Sequence, residues 1–407
     1  MKQLIDEAIF TELCEVIQQE IDFTEHITDE QLMLMIETKV TVLANERRWI
    51  SDERLHLTER LFAYFRGLDV LEPLMKDASV TEIMVNGANH IFFEREGRIQ
   101  QYDYSFVSNH RLEDLIQVMV SKVNRTVNES SPIVDARLPD GSRVHVVLPP
   151  VALNGPVVTI RKFPERQLTI NDLITKGTIT DAAASFLQQA VLTGHNVFIS
   201  GGTGAGKTTL LNVLAQSIPL DERVITIEDS AELQLDHIPN WVSLETRLSN
   251  TEGKGEITIR QLIRAALRMR PNRLIVGEVR GSEAIDMLQA MNTGHDGSIS
   301  TGHANSVRDM LSRLETMAMG GTDLPVQNIR QQIASAIHIV VHVSRKHRYE
   351  RKVIEITEIS GISNGEYELN ALFAWKSEFD EEEEVGQLVA TGKQLIRNEK
   401  WRGRSNK

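Results

Sequence analysis

Gly201-Gly202-Thr203-Gly204-Ala205-Gly206-Lys207-Thr208 has the form G-x-x-x-x-G-K-[ST], a pattern whose chemistry is phosphate binding. Backbone N–H groups can wrap a β-phosphate only where side chains are absent, which accounts for Gly201, Gly202, Gly204 and Gly206. Lys207 supplies a compact charge between the β- and γ-phosphates, and Thr208 a hydroxyl for Mg²⁺. Thr209 closes the run. The flanks suit that chemistry. Val197-Phe198-Ile199 reads as a short buried parallel strand. After the loop, Leu210, Leu211, Leu214 and Ile218 fall on one helical face until Pro219 stops the helix. A strand, a glycine loop and a helix N-terminus aimed at an anion make a phosphate site. The reading is a nucleoside triphosphate site.

A second set of residues could act on that phosphate. The apolar strands Arg223–Ile227 and Leu274–Val276 deliver Glu228-Asp229 and Gly277-Glu278 to their carboxyl ends, with Glu232 one turn beyond the first. Ligands of open α/β sheets lie at those ends. Hydrolysis needs Mg²⁺ held opposite the phosphate loop and a water in line with the γ-phosphate, and one carboxylate can do each job. A single strand-end acid is more often a surface charge. Three of them beside so clear a loop argue for a site. His295, in Thr-Gly-His-Asp-Gly, and His303, in Thr-Gly-His-Ala-Asn, flank the strand Ser298–Thr301. Taken singly, each is more often structural than catalytic.

The positioning elements can be read in order. Residues 1–66 are a helical region in which Leu4, Ile5, Ala8, Leu13, Val16 and Ile17 recur at near-helical spacing. Residues 67–164 form a small α/β domain. Its signals are a hairpin turning at Asn86-Gly87, a helix over Leu112–Val123, and strands at Ser142–Val147 and Val157–Arg161. Residues 165–376 alternate strands and helices, as a parallel sheet requires. There Thr258–Arg270 is expected as a helix ended by Pro271, its Arg260, Arg264 and Arg268 forming a solvated stripe. Ile337–Val343 and Val353–Ile359 close the sheet. Residues 377–407, with an acidic run at Glu378–Glu384 and a basic end from 393, are expected as a solvated, mobile tail.

Composition limits the classes. The 407 residues suffice for two or three domains with full cores. Cys14 is the sole cysteine, so an intrachain disulfide or multi-cysteine metal cluster is excluded. The net charge of −13 opposes a nucleic-acid motor, whose phosphate contacts need a basic field. Asp6, Glu7, Glu12, Glu15 and Glu20 argue against a signal peptide. No apolar run approaches the ~20 residues that span a bilayer. The expectation is a cytoplasmic protein whose membrane role goes through partners.

Together these motifs carry a resemblance. Their order — the phosphate loop, Ile227–Glu232, Val276–Arg280, Thr293-Gly294-His295 and His303-Ala304-Asn305 — resembles the type II/type IV secretion and pilus-assembly ATPase superfamily. Asp135–Arg143, Ala266–Pro271 and Ala290–Ser298 are similar to its Flp/Tad pilus-assembly ATPase branch. The likeness covers roughly 70–360. Gly302 departs from it, since the branch usually has a bulkier apolar residue before the histidine. One cysteine cannot build the four-cysteine zinc insert usual in type II secretion members.

The resemblance implies an α/β fold, with a RecA-like P-loop NTPase domain preceded by a small PAS-like α/β domain and the helical region. It implies ATP and Mg²⁺ as cofactors. It also implies a homohexameric motor, peripheral at the inner membrane through platform proteins, with no nucleic-acid partner. Glu232 then corresponds to the glutamate that orients or deprotonates the attacking water. Glu278 acts on Mg²⁺ through water, with Thr208 and Glu228 as further metal-site residues. His295 and His303 match the histidine box that senses the γ-phosphate, and Arg143 and Arg161 match arginines that reach it. A type IV secretion traffic ATPase or a retraction motor would share these motifs. A helicase-like enzyme and a nucleotide-dependent switch are the readings from other classes.

Overall fold

The computed structural model describes residues 7–21, 27–163, 166–247, 249, 254–346, 350–380 and 383–400. The chain forms two compact units, Met1–Glu165 and Arg166–Lys407. The expected boundary at 164–165 and the last part of the basic end, 401–407, lie outside the described residues.

The first unit opens with helices α1 (Glu7–Glu20), α2 (Asp29–Arg47) and α3 (Ser51–Arg66). Thr28 starts α2 with a capping box: its hydroxyl accepts from Gln31 N, and its own N–H donates to the Gln31 side chain. That relieves N–H groups which have no partner inside the helix. Phe10, Ile17, Leu32, Ile36, Leu57 and Leu61 form the shared core of the three helices.

Helix α4 (Glu72–Lys76) leads to β1 (Val80–Asn86), β2 (Ile91–Arg95), β3 (Arg98–Gln101), α5 (Asn109–Ser121), β4 (Ile133–Arg137), β5 (Arg143–Val147) and β6 (Val157–Arg161). The strands make one antiparallel sheet in the order β3-β2-β1-β6-β5-β4. β1 and β2 pair Ile83 with Phe93, but Asn86 ends β1, donating to His90 O at 2.8 Å, so the hairpin turns one residue later than expected, over 87–89, with Gly87 at φ 74°. α5 buries Leu112, Leu115, Ile116 and Met119 against the sheet's apolar residues, the face its periodicity predicts.

The second unit runs α6 (Ile170–Thr175), α7 (Asp181–Leu192), β7 (Val197–Gly201), α8 (Lys207–Ala215), β8 (Val224–Glu228), β9 (Trp241–Glu245), α9 (Ile259–Ala266), β10 (Arg273–Val276), α10 (Glu283–Asn292), β11 (Ile299–His303), α11 (Val307–Met319), α12 (Val326–Ala336), β12 (Ile339–Arg345), β13 (Arg351–Ser363), β14 (Glu366–Asp380) and β15 (Glu383–Ala390). Its sheet order is β15-β14-β13-β12-β7-β11-β10-β8-β9, parallel from β12 to β9 and antiparallel from β12 to β15. β7 and β8 are buried along their whole lengths, which explains their unbroken apolar texture. α6, α7 and α8 cover one face, and α9 to α12 the other. With the parallel strands aligned, their carboxyl ends form one rim on which the phosphate loop sits.

Three further local expectations change. α9 ends at Ala266, four residues early, and Arg270 takes a left-handed φ of 56°. The last turn tightens first, Arg268 N donating to Ala265 O at 3.0 Å and Met269 N to Ala266 O at 2.9 Å, before Arg270 leaves the helical region ahead of Pro271. The arginine stripe is not simply solvated. Arg260 Nε and Arg264 Nε bracket the buried Asp286 carboxylate at 2.7 and 2.9 Å, tying α9 to α10.

Among the described residues, the charged segment between 377 and 400 is docked rather than a free tail. β14 continues to Asp380 and pairs with β15, adding a hairpin to the sheet. Beyond it, Ile396 N and Arg397 N donate to the fully buried Glu358 carboxylate, at 2.9 and 2.7 Å, and Lys400 pairs with Asp296 at 2.6 Å. A buried carboxylate needs donors, and Ile396 N and Arg397 N supply them together with the Asn370 amide, which donates at 2.9 Å.

Candidate nucleotide site

The phosphate loop leaves β7 at Gly201 and enters α8 at Lys207. Gly206 is the N-cap with φ 95°, a left-handed conformation that a side chain would strain. The first turn of α8 carries Lys207, Thr208 and Thr209, so its unpaired N–H groups and dipole face the loop's concavity. Lys207 is buried, and its ammonium donates to Gly202 O at 3.0 Å. It also approaches His303 Nδ1 at 3.3 Å.

Two strands over from β7, β10 ends at Val276, and the chain carries Glu278 back towards the loop. Glu278 Oε1 lies 2.7 Å from His303 Nε2. Arg280 grips the other oxygen, Nη2 at 2.6 Å and Nε at 2.9 Å. Lys207, His303, Glu278 and Arg280 therefore form one chain of contacts across the rim. A ring nitrogen facing an ammonium can only accept, so His303 carries its proton on Nε2. Burial, then the Lys207 cation, pushes the His303 pKa down against the opposing pull of Glu278. Burial likewise lowers the Lys207 pKa, with Glu278 opposing. Arg280 is held as a cation, its pKa raised first by its hydrogen bond to Glu278.

The acidic loop after β8 divides its labour. Glu228 is buried, and its carboxylate accepts Glu232 N at 2.9 Å and Leu233 N at 3.1 and 3.3 Å. Gly277 makes room for it: a Cβ there would meet Glu228 Cγ at 2.8 Å. Asn212 of α8 ties the same loop to the phosphate helix, donating to Glu232 O at 3.3 Å and accepting from Gln234 N at 3.0 Å. Glu232 is thereby placed next to the phosphate helix. Asp229 lies 3.5 Å from Arg280.

An Mg²⁺ ion fits part of the expected donor set. Glu278 Oε1 is buried, with His303 Nε2 at 2.7 Å and no further hydrogen-bond donor among the described residues. That leaves an acceptor for a hydrated cation, with the Thr208 hydroxyl on the adjacent helix turn. Glu228 does not fit, because both its oxygens hold backbone N–H groups. It is a loop clamp. Among the described residues no three His, Cys, Asp or Glu side chains gather as a metal-holding group. Mg²⁺ needs none, since it keeps waters and takes phosphate oxygens.

Two further expectations separate. His303 ends β11 on the rim, but His295 lies before β11 begins, at the opposite end of the strand. Four residues of strand rise put roughly 13 Å between Ile299 and His303 alone. His295 Nδ1 instead meets Ala290 O at 3.1 Å, and Asp296 beside it pairs with Lys400. Within one chain it is no partner of the phosphate loop. Arg143 and Arg161 belong to the first unit and face each other across β5 and β6. Arg161 Nε contacts Glu82 Oε1 at 3.2 Å. At Gly302 a Cβ would meet Met310 Cε and Sδ at 3.0 Å and Phe198 Cε1 at 3.1 Å, so the space that a bulkier residue would take beside His303 is already filled.

Comparison with known proteins then decides the family: the family described as type II/IV secretion system protein matches residues 66–384. The chain belongs to it. The conjugal transfer protein TrbB of Rhizobium radiobacter is 34% identical over 304 residues, 74% of this chain and 90% of that protein. The type IV secretion system protein VirB11 of Brucella suis is 34% identical over 306 residues, 68% of this chain and 84% of its own. Among solved structures, the ATPase DotB of Yersinia pseudotuberculosis superposes with a TM-score of 0.52 at 17% identity, covering 71% of this chain and 77% of that one. At that identity the likeness is one of fold. The secretion-family fold is thus an N-terminal α/β domain followed by a RecA-like ATPase domain, as the motif order implies.

Arg280 and Asn212 have no assigned role in the motif pattern. Arg280 sits two residues after Glu278, on the same side of an extended segment, a spacing that hints at the pair. Asn212 shows only as a polar residue in a leucine-rich helix.

Proposed function

We propose that this secretion-family protein is a Mg²⁺-dependent ATPase that works as a homohexameric motor. It lies in the cytoplasm, peripheral to the inner membrane, and acts on membrane-embedded platform proteins. The observation that carries this reading is the contact chain Lys207–His303–Glu278–Arg280 set on the phosphate-loop rim. It gathers a phosphate-binding cation, a metal-side carboxylate and a compensating guanidinium where a γ-phosphate would lie. Glu232, held on its clamped loop, orients or deprotonates the attacking water. Arg143 and Arg161, by the family resemblance, are the arginines that reach the γ-phosphate. Thr208 and, through water, Glu278 would hold Mg²⁺, which would supply neutralisation of phosphate charge. No described helix is long and apolar enough to cross a membrane.

The stretches at 135–143, 266–271 and 290–298 favour a Flp/Tad-type pilus as the driven machine. The 34% identity to TrbB and VirB11 favours type IV secretion traffic as the second reading. The test is phosphate release with mass photometry on the purified chain. Wild type is expected to hydrolyse ATP and to form six-subunit rings with a non-hydrolysable analogue. Lys207→Ala is expected to lose turnover. Nucleotide binding without phosphate release would make the protein a switch, and a strict monomer under all conditions would refute the motor.

A further inference from the structure

The β12–β13 hairpin brings a residue to the phosphate loop that the P-loop motif does not contain. β12 is hydrogen-bonded to the loop's own strand, pairing Val343 with Gly201, so the hairpin and the loop share one scaffold. Arg345 and Arg351 face each other where the hairpin begins. From there Arg351 Nε donates to Gly204 O at 3.1 Å. Its stem crosses the next glycine: a Cβ on Gly206 would lie 3.2 Å from Arg351 Cδ. Among the described residues no carboxylate pairs with Arg351, so a salt bridge does not explain where it sits.

The peptide that Arg351 holds matters. Gly204 O and Ala205 N–H belong to one planar unit, so fixing the carbonyl fixes the direction of the N–H. That N–H rests on Gly202 O at 3.3 Å, a long bond that a phosphate oxygen can displace. Gly204, at φ 69°, and Gly206, at φ 95°, have no side chain to pin this turn. The conformation must be held from outside. A guanidinium is suited to this, because its charge strengthens the bond to a carbonyl roughly twofold over a neutral donor.

We propose that Arg351 is a positioning residue of the phosphate loop, clamping the Gly204–Ala205 peptide so that its N–H can be presented to the β-phosphate. This rests on the nucleotide-binding reading above. Because the β-phosphate is common to ADP and ATP, losing the clamp weakens both equally. A guanidinium that instead touched the γ-phosphate would matter to ATP alone.

The experiment titrates Mg·ADP and a non-hydrolysable Mg·ATP analogue into the full-length wild type, Arg351→Ala and Arg351→Lys. Arg351→Ala is expected to weaken both nucleotides by the same factor, ~10–100-fold for one charge-assisted hydrogen bond. Its melting temperature without nucleotide should stay at the wild-type value, since Arg351 is exposed. Arg351→Lys keeps a charged donor of similar reach and should recover part of the loss for both nucleotides. Unchanged ADP affinity, or a loss confined to the ATP analogue, overturns the proposal. So does a fall in melting temperature that accounts for the weaker binding. If the wild type binds neither nucleotide, the nucleotide-binding reading itself fails; if it binds both and Arg351→Ala matches it, only the clamp fails.

Discussion

Glu228→Gln separates a loop clamp from a metal ligand. The Glu228 carboxylate is 3% exposed and accepts two backbone N–H groups, Glu232 N at 2.9 Å and Leu233 N at 3.1 Å. Hydrogen bonds to a charged acceptor contribute about 1.5–3 kcal/mol each, against about 1 for neutral pairs. Glutamine keeps one acceptor, but its amide nitrogen can be turned on Leu233 N–H, where Oε2 now lies at 3.3 Å. Two weakened bonds would cost about 1–4 kcal/mol, offset in part because a buried amide is less costly to desolvate than a carboxylate. The net expectation is a loss of about 1–2 kcal/mol, or roughly 2–8 °C in melting temperature for a unit of this size.

The loop that slackens carries Glu232, so phosphate release should fall ~10²-fold or more, the range for a displaced general base. Mg·ADP affinity should change by less than about threefold, because the phosphate loop is untouched. Differential scanning fluorimetry, phosphate release and a Mg·ADP titration read the three quantities. An unchanged melting temperature, with Mg·ADP affinity reduced more than about tenfold, would refute the clamp and restore Glu228 to the metal.

Glu232→Gln should keep nucleotide affinity while hydrolysis falls by ~10²–10⁴-fold, and weakened binding with residual rate would give Glu232 a structural role instead. Arg161→Ala and Lys207→Ala should each be inactive alone, an arginine at the γ-phosphate being worth ~10³–10⁵ in rate. Mixed rings regain activity if Arg161 acts on a neighbouring subunit and stay dead if it acts on its own; full activity of Arg161→Ala excludes both. His338 gives a pH signature. Burial, then Lys400 and His195, lower its pKa to about 3, and Asn196 N donates to its Nδ1 at 2.8 Å. The folded state holds it neutral, so the unfolded chain binds the extra proton below pH ~6.5, and stability present above that pH is lost as pH falls towards 3. The slope reaches about 1.4 kcal/mol per pH unit, and denaturant midpoints for His338→Asn should show a shallower slope than wild type; parallel slopes would refute it.

The phosphate loop was legible because its chemistry is local. Glycines, lysine and threonine must be adjacent in the chain to wrap one phosphate, and a strand and a helix must flank them. The same holds for the carboxyl-end acids: an apolar strand that stops at Glu228, or one residue short of Gly277-Glu278, announces which end of a parallel sheet it feeds. The hairpin near Asn86-Gly87 and the buried face of α5 were legible for the same reason. Turn chemistry and helical period act within a dozen residues.

What the sequence could not decide was which of several equally placed side chains would be used, and by what. Glu228 and Glu278 follow similar strands. Yet Glu228 is turned inward onto the N–H groups of its own loop, while Glu278 faces Lys207 and His303 across the rim. His295 and His303 sit in near-identical motifs, but the strand between them carries one to the rim and leaves the other at the opposite end. Arg351 reaches Gly204 only because β13 returns antiparallel beside the strand next to β7, and Ile396 and Arg397 are held against the sheet through the buried Glu358 carboxylate. Charge, hydrogen-bond demand and space are satisfied by whatever the fold brings within about 3 Å, and residues 147 positions apart, such as Gly204 and Arg351, are brought there by sheet order alone.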